Sequence, residues 1–159
     1  MTNLTRRSAL LALAAATAFP APALAMRLPR VLFVCQAGTV KSAVARELMR
    51  KRANERGLGV TVWSRGIAPA DHMTVPIRQR LITEFGIDPA SERPKALRQS
   101  DLDRTDTVVL FDHLPASLHR SNVLDWTDQP SLLEQFDASM AFLGAHVEAL
   151  LDQIAGKPV

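Results

Sequence analysis

Unbroken apolar runs and helix-spaced apolar positions alternate along most of this chain. Val31-Leu32-Phe33-Val34, opened by Arg30 and closed by Cys35, has no polar interruption. Such a run suits a strand buried on both faces. Val60-Thr61-Val62-Trp63-Ser64 and Thr107-Val108-Val109-Leu110-Phe111 predict two more strands, and Asn122 to Trp126 a possible short fourth. Between them the pattern changes period. Ser42 to Arg56 is rich in Ala, Leu, Arg and Glu and is stopped by Gly57, which predicts a helix. Val75 to Phe85 predicts another, with Pro76 in its first turn and Gly86 past its end. Near the C-terminus, Leu133, Phe136, Met140, Leu143, Val147, Leu150 and Ile154 recur at alternating steps of three and four, one face of a helix. Ser131 with Glu134 reads as the capping box that opens it. Strands alternating with helices predict βαβ units. The expected fold is α/β: a three-layer sandwich around a central, mostly parallel four-stranded sheet. Ligands of such sheets bind beyond the carboxyl ends of the strands, which draws attention to Cys35.

The N-terminus reads differently. Arg6 and Arg7 form a short charged start, Ala9 to Phe19 is predominantly apolar, and Pro20, Pro22 and Ala23-Leu24-Ala25 follow. This is the layout of a secretory signal peptide cut after Ala25. The alternative is an uncleaved anchor, but Ala9 to Leu24 contains two prolines and falls short of the roughly 20 residues of a span. Thr5-Arg6-Arg7-Ser8-Ala9-Leu10-Leu11 resembles a bacterial twin-arginine export signal. The expected division is residues 1–25 as signal and 26–159 as one domain, in the periplasm or secreted, with no stable membrane insertion after cleavage.

Composition narrows the chemistry. The 159 residues are 47% hydrophobic and 22% charged, enough apolar material for a core. The formal charge of +3 shrinks once Arg6 and Arg7 are set aside, because the first 25 residues hold no acid. A near-neutral domain argues against bulk binding to nucleic acid. One Cys excludes an internal disulfide and a Cys-rich zinc site, and the four His show no metal-ligand spacing. No cofactor or metal is expected.

The candidate site is the loop Gln36-Ala37-Gly38-Thr39-Val40 with Lys41 and Ser42, lying between a buried strand and a helix. Backbone N–H groups of such a loop, with those of the helix start, form an anion cradle. Lys41 adds a positive charge, and the combined field favours the thiolate of Cys35. A thiolate facing a phosphate cradle is a nucleophile aimed at phosphorus. A Walker A loop is rejected, since Cys35 and Val40 occupy its two glycine positions. The plainer alternative, Cys35 as a small buried hydrophobe, leaves Lys41-Ser42 at the helix start unexplained.

Val31-Leu32-Phe33-Val34-Cys35, Lys41-Ser42, and Ala45 with Glu47 resemble the opening of the low-molecular-weight protein tyrosine phosphatases, V-L-F-V-C-x-G-N-x-C-R-S-x-x-A-E. Ser64-Arg65-Gly66, Glu84-Phe85-Gly86-Ile87-Asp88 and Asp106 to Asp112 extend the likeness over about residues 30–155. The resemblance implies phosphomonoester hydrolysis through a phospho-cysteine. Cys35 is then the nucleophile, Ser42 its hydrogen-bond donor, and Gln36 to Ser42 the phosphate cradle. The implied substrate is a phosphotyrosine-containing protein or a small aryl phosphate. His72 falls in a loop that lines the active-site mouth in that family.

Several positions depart from the family pattern. Lys41 stands for the signature Arg, losing a bidentate grip on phosphoryl oxygens. Gly38 stands for the loop Asn and Ala37 for the preceding Gly. The general acid of the family comes as Asp-Pro, whereas here Asp125-Trp126-Thr127-Asp128-Gln129-Pro130 places Gln129 before the proline. Asp128 is the preferred acid and Asp125 the alternative. Trp126 is either a substrate-stacking aromatic or a loop anchor. Fold relatives that reduce arsenate use two further cysteines, which this chain lacks. A catalytically weak relative that binds phosphate-like anions is the competing reading. Arg46, Arg50, Lys51, Arg52 and Arg56 are expected to form a solvated helix face.

Overall fold

The computed structural model describes residues 27–156. The signal-peptide expectation for residues 1–25 lies outside them. Strands β1 (Arg30–Cys35), β2 (Thr61–Gly66), β3 (Thr107–Leu110) and β4 (Val123–Asp125) form one sheet in the order β2-β1-β3-β4. Every neighbouring pair is parallel. The central strand β1 leaves nothing from Val31 to Cys35 exposed, as its unbroken apolar run requires.

Helices α1 (Lys41–Glu55), α2 (Val75–Phe85) and α4 (Phe136–Gly156) cover one face of the sheet, with Val31, Phe33 and Cys35 in their shared core. The short helix α3 (Gln99–Asp103) and Leu97 cover the other, against Leu32 and Val34. This gives the three layers. The chain passes from β1 outward to β2, then returns to place β3 on the other side of β1. The crevice at that reversal, beyond the strand ends, is where α/β sheets hold ligands. It puts the end of β1 beside the end of β3.

Two sequence expectations change, and one open alternative is decided. The long helix starts at Phe136 rather than at Ser131. Ser131 closes a separate turn instead, accepting the Gln135 N–H at 2.8 Å on its carbonyl and the Glu134 N–H at 3.4 Å on its hydroxyl. That turn sends Leu132 inside at 3% exposure and leaves Leu133 out at 67%.

The basic face of α1 is solvated in part, with Arg56 exposed and Arg50, Lys51 and Arg52 half-buried, but Arg46 is not on it. Arg46 is 2% exposed and donates to Ser64 Oγ at 2.9 Å, Pro89 O at 3.0 Å and Glu47 Oε1 at 2.7 Å. Arg50 donates to Val62 O and Glu92, and Arg52 and Arg56 pair with Glu148 on α4. A buried guanidinium needs this full set of acceptors to offset its desolvation. The acceptors come from β2, the turn at 89–91 and α4, so helical spacing alone could not reveal them.

Trp126 is the anchor of its two alternatives. It is buried against Phe33, Phe111, Phe142 and His146, and its N–H extends the sheet to Leu110 O. It is therefore unavailable for stacking on a substrate.

Candidate active site

The last residue of β1 presents its sulfur to the loop that follows. Cys35 Sγ lies 3.0 Å from Ser42 Oγ, in the first turn of α1, and accepts the Gly38 N–H at 3.1 Å. The loop therefore curls around the sulfur and returns its own backbone to it. Gly38 makes the curl possible with φ +71°, a value costly for any residue with a Cβ. Ala37, which replaces a family glycine, does not adopt a positive φ, so the replacement brings no backbone strain.

Two walls hold the loop. On one side the strand β2 runs on past Gly66, and Ile67, Ala68 and Ala70 donate their N–H groups to the carbonyls of Cys35, Gln36 and Ala37 at 3.0, 2.8 and 3.1 Å. The Thr39 hydroxyl donates to Ala70 O. On the other side, beyond β3, Asp112 accepts the Gln36 N–H at 2.8 Å on Oδ2. With the carbonyls turned outward to these partners, the N–H groups remain. Among the described residues, those of Ala37, Thr39, Val40, Lys41 and Ser42 donate to no protein acceptor. Unpaired donors around one sulfur, at the start of a helix, make an anion site.

The expected residues from Cys35 to Ser42 thus come together. Two of them are differently employed: the Gln36 N–H serves Asp112, and the Gly38 N–H serves the sulfur. Lys41 begins α1 half-buried, and among the described residues its ammonium has no ion-pair partner. Asp112 is the residue whose role the sequence did not disclose, because its contact with Gln36 spans 76 positions.

The loop that carries the two candidate acids lies beyond the carboxyl end of β4. Asp125 and Asp128 are both exposed there. The Thr127 N–H, bonded to Asp125 Oδ1 at 2.9 Å, holds the Asp125 carboxyl below its usual range, helped by the Thr127 hydroxyl and by nearby His113. A carboxyl so held is ionised at neutral pH and is a poor proton donor. Asp128 makes no side-chain hydrogen bond among the described residues. Gln129 cannot take over the family's acid role. It is 5% exposed, and its Nε2 donates to Ser139 Oγ of α4 at 2.6 Å.

His72 lines a cavity with Thr39, Asp71, Met73 and Arg78 beside the loop, and Cys35 is not among its lining residues. No group of three or more His, Cys, Asp or Glu among the described residues could hold a metal ion.

Comparison with known proteins agrees with this geometry. The sequence profile described as "Low molecular weight phosphotyrosine protein phosphatase" matches residues 30–152. YfkJ from Bacillus subtilis shares the fold with a TM-score of 0.66 at 19% identity, over 82% of this chain and 97% of that one. A low molecular weight protein tyrosine phosphatase from T. tengcongensis does so with a TM-score of 0.60 at 22% identity, over 79% and 99%. A thioredoxin-dependent arsenate reductase from Corynebacterium glutamicum follows with a TM-score of 0.64 at 23% identity, over 83% and 64%. No curated protein sequence matches the chain. At these identities the structures speak for the fold, and the profile, spanning well over half of the chain, speaks for descent: this protein belongs to the low molecular weight phosphotyrosine protein phosphatase family.

Proposed function

We propose that this chain is an exported phosphomonoester hydrolase that acts through a phospho-cysteine intermediate. Its substrate is a phosphotyrosine-containing protein or a small aryl phosphate. The observation that carries the reading is the surround of Cys35 Sγ: Ser42 Oγ at 3.0 Å, Gly38 N at 3.1 Å, and a ring of loop N–H groups without protein acceptors.

In the first step the Cys35 thiolate attacks phosphorus, an S–P bond forms, and the P–O bond to the aryl group breaks. Asp128 gives its proton to the departing phenolate oxygen. In the second step a water attacks phosphorus and loses its proton to the Asp128 carboxylate. The S–P bond breaks, and sulfur leaves as a thiolate that receives the Ser42 hydroxyl proton in a hydrogen bond. Loop N–H groups and Lys41 carry the charge on the phosphoryl oxygens throughout. The chain cannot relay oxidation through further cysteines, having none, so arsenate reduction would need an external thiol.

Lys41 and the buried Gln129 favour a second reading, a weak or inactive relative that retains phosphate. Hydrolysis of p-nitrophenyl phosphate by the wild type beside Cys35→Ser separates the two. Turnover that disappears with the sulfur supports the enzyme. No turnover, together with a thermal melt raised by phosphate, supports the binder. Export is tested in a bacterial host with both Sec and twin-arginine systems. Mass spectrometry of the periplasmic protein should give Met26 as the first residue, and an intact Met1 on cytoplasmic protein would overturn the division at residue 25.

A further inference from the structure

A cavity of about 430 Å³ opens on the sheet face opposite α1, away from the Cys35 sulfur. Arg65, Lys95, Arg98 and Arg104 line it, with Ser100 and Asp101. Its position follows from strand alternation. Arg65 is in register with Val34, whose side chain belongs to the Leu97–Leu102 core, while the neighbouring Ser64 faces α1 and bonds Arg46. The Cys35 loop and this cavity therefore use opposite faces of the same two strands.

Four cations line the cavity against one carboxylate, and that carboxylate is inside. Asp101 is 4% exposed. Its Oδ2 accepts Arg65 Nε at 3.0 Å and its Oδ1 accepts Arg104 Nη2 at 2.5 Å. Asp101 also accepts the Arg98 backbone N–H at 3.1 Å. One buried anion thus fixes two guanidiniums and the backbone of a third residue. Arg65 Nη1 donates to Ser64 O at 2.9 Å, and the rest of the half-exposed Arg104 guanidinium remains open to a ligand. Arg104 is further placed by Trp63, whose ring centroid lies 5.6 Å from its Cζ. Lys95 and Arg98 are exposed, and among the described residues their side chains form no ion pair.

The lining carries four cations against one carboxylate, with Glu92 close enough to Lys95 to feel its charge, in a volume suited to a small ligand. Planar guanidiniums held in fixed positions match the oxygens of phosphate groups in paired hydrogen bonds. We infer that this cavity is a second anion site, distinct from the Cys35 loop, for a small oligophosphate such as a diphosphate group. The inference rests on no assumption about the chemistry of Cys35.

The test is isothermal titration of the purified chain with inorganic pyrophosphate at 0.15 M salt, beside the double variant Lys95→Ala/Arg98→Ala. Both side chains are exposed and pair with nothing among the described residues, so the variant keeps its fold, which its melting curve verifies. The expected result is one equivalent of pyrophosphate lost, or bound at least tenfold more weakly, in the variant. Cys35→Ser should retain that equivalent. Any pyrophosphate held by the Cys35 loop appears as a separate equivalent that Lys95→Ala/Arg98→Ala does not touch, so failure of the phosphatase reading removes a different signal. Superimposable isotherms for wild type and double variant, or no binding by the wild type below about 1 mM, overturn the second site.

Discussion

Gly38 and Gly66 meet backbone to backbone: a Cβ on Gly38 would lie 2.7 Å from Gly66 N, and a Cβ on Gly66 would lie 2.8 Å from Ala37 C and O. The Cys35 loop is thus pressed directly against the end of β2, with no side chain between them. Neither glycine is replaceable without moving one backbone or the other. Gly38→Ala adds the cost of a Cβ at φ +71°, and Gly66→Ala adds only the clash. Each should destabilise by about 1–3 kcal/mol. Each should also lower turnover of an aryl phosphate more than its thermal melt suggests, because the shifted backbone carries the anion donors. Turnover at full folding equal to that of wild type would show that the close approach does not set the loop.

Ser42→Ala removes a hydroxyl 3.0 Å from the Cys35 sulfur. A hydrogen bond to a charged partner contributes about 1.5–3 kcal/mol, so release of sulfur from phosphorus should slow by roughly 10- to 100-fold. Stopped-flow traces with p-nitrophenyl phosphate should show a burst of nitrophenolate followed by a slow steady state. A uniform loss without a burst would assign Ser42 to the first step or to structure.

Lys41→Arg restores the planar fork at the start of α1. A bidentate, charge-assisted contact in a preorganised site warrants about a tenfold rise in kcat on an aryl phosphate. Affinity for free phosphate should change less, since Lys41 already supplies the charge. A fall in both kcat and melting temperature would mean that the loop is shaped around the ammonium.

The two acidic candidates separate by leaving group. Asp128→Asn should cost about 100-fold or more on phenyl phosphate, and much less on p-nitrophenyl phosphate, whose leaving group needs little protonation. Asp125→Asn should leave this leaving-group dependence unaltered, because its carboxylate is already engaged by the Thr127 N–H. The opposite pattern would transfer the acid role to Asp125.

Asp88 links α2 to the turn that follows it. Its carboxyl is held below the usual range first by the Arg78 guanidinium, at 2.8 and 2.7 Å, and then by the Ala90 N–H. A lowered folded value means stability that is present above the ordinary carboxylate range and lost as pH falls through the lowered one. Both partners are more than a third exposed, so solvent screening keeps the effect small. Asp88→Asn should lower the melting temperature at pH 7 by no more than about 3 °C, and the two curves should converge as pH falls through the lowered carboxyl range. A difference that persists at pH 2 would trace the effect to packing instead of charge.

The sequence by itself determined the elements and the place of the site. The apolar run from Val31 to Val34 had to be a central strand, because no face of it tolerates water. Cys35, Gly38 and Ser42 follow within one short loop, so their meeting is a local event that spacing already describes. Only the tertiary structure decided the rest. Arg46 looks like a surface residue on a helix until β2 and the turn at 89–91 surround it with acceptors. Trp126 became a core residue because Phe33, Phe111 and His146 arrive from three other elements. Leu133 left the helix face because the Ser131 turn intervened before Phe136. Asp112 reached Gln36 only because β3 lies beside β1 in the sheet. Burial and hydrogen bonding between distant segments depend on which surfaces meet, and a chain read in order contains the local periods of its elements but not those meetings.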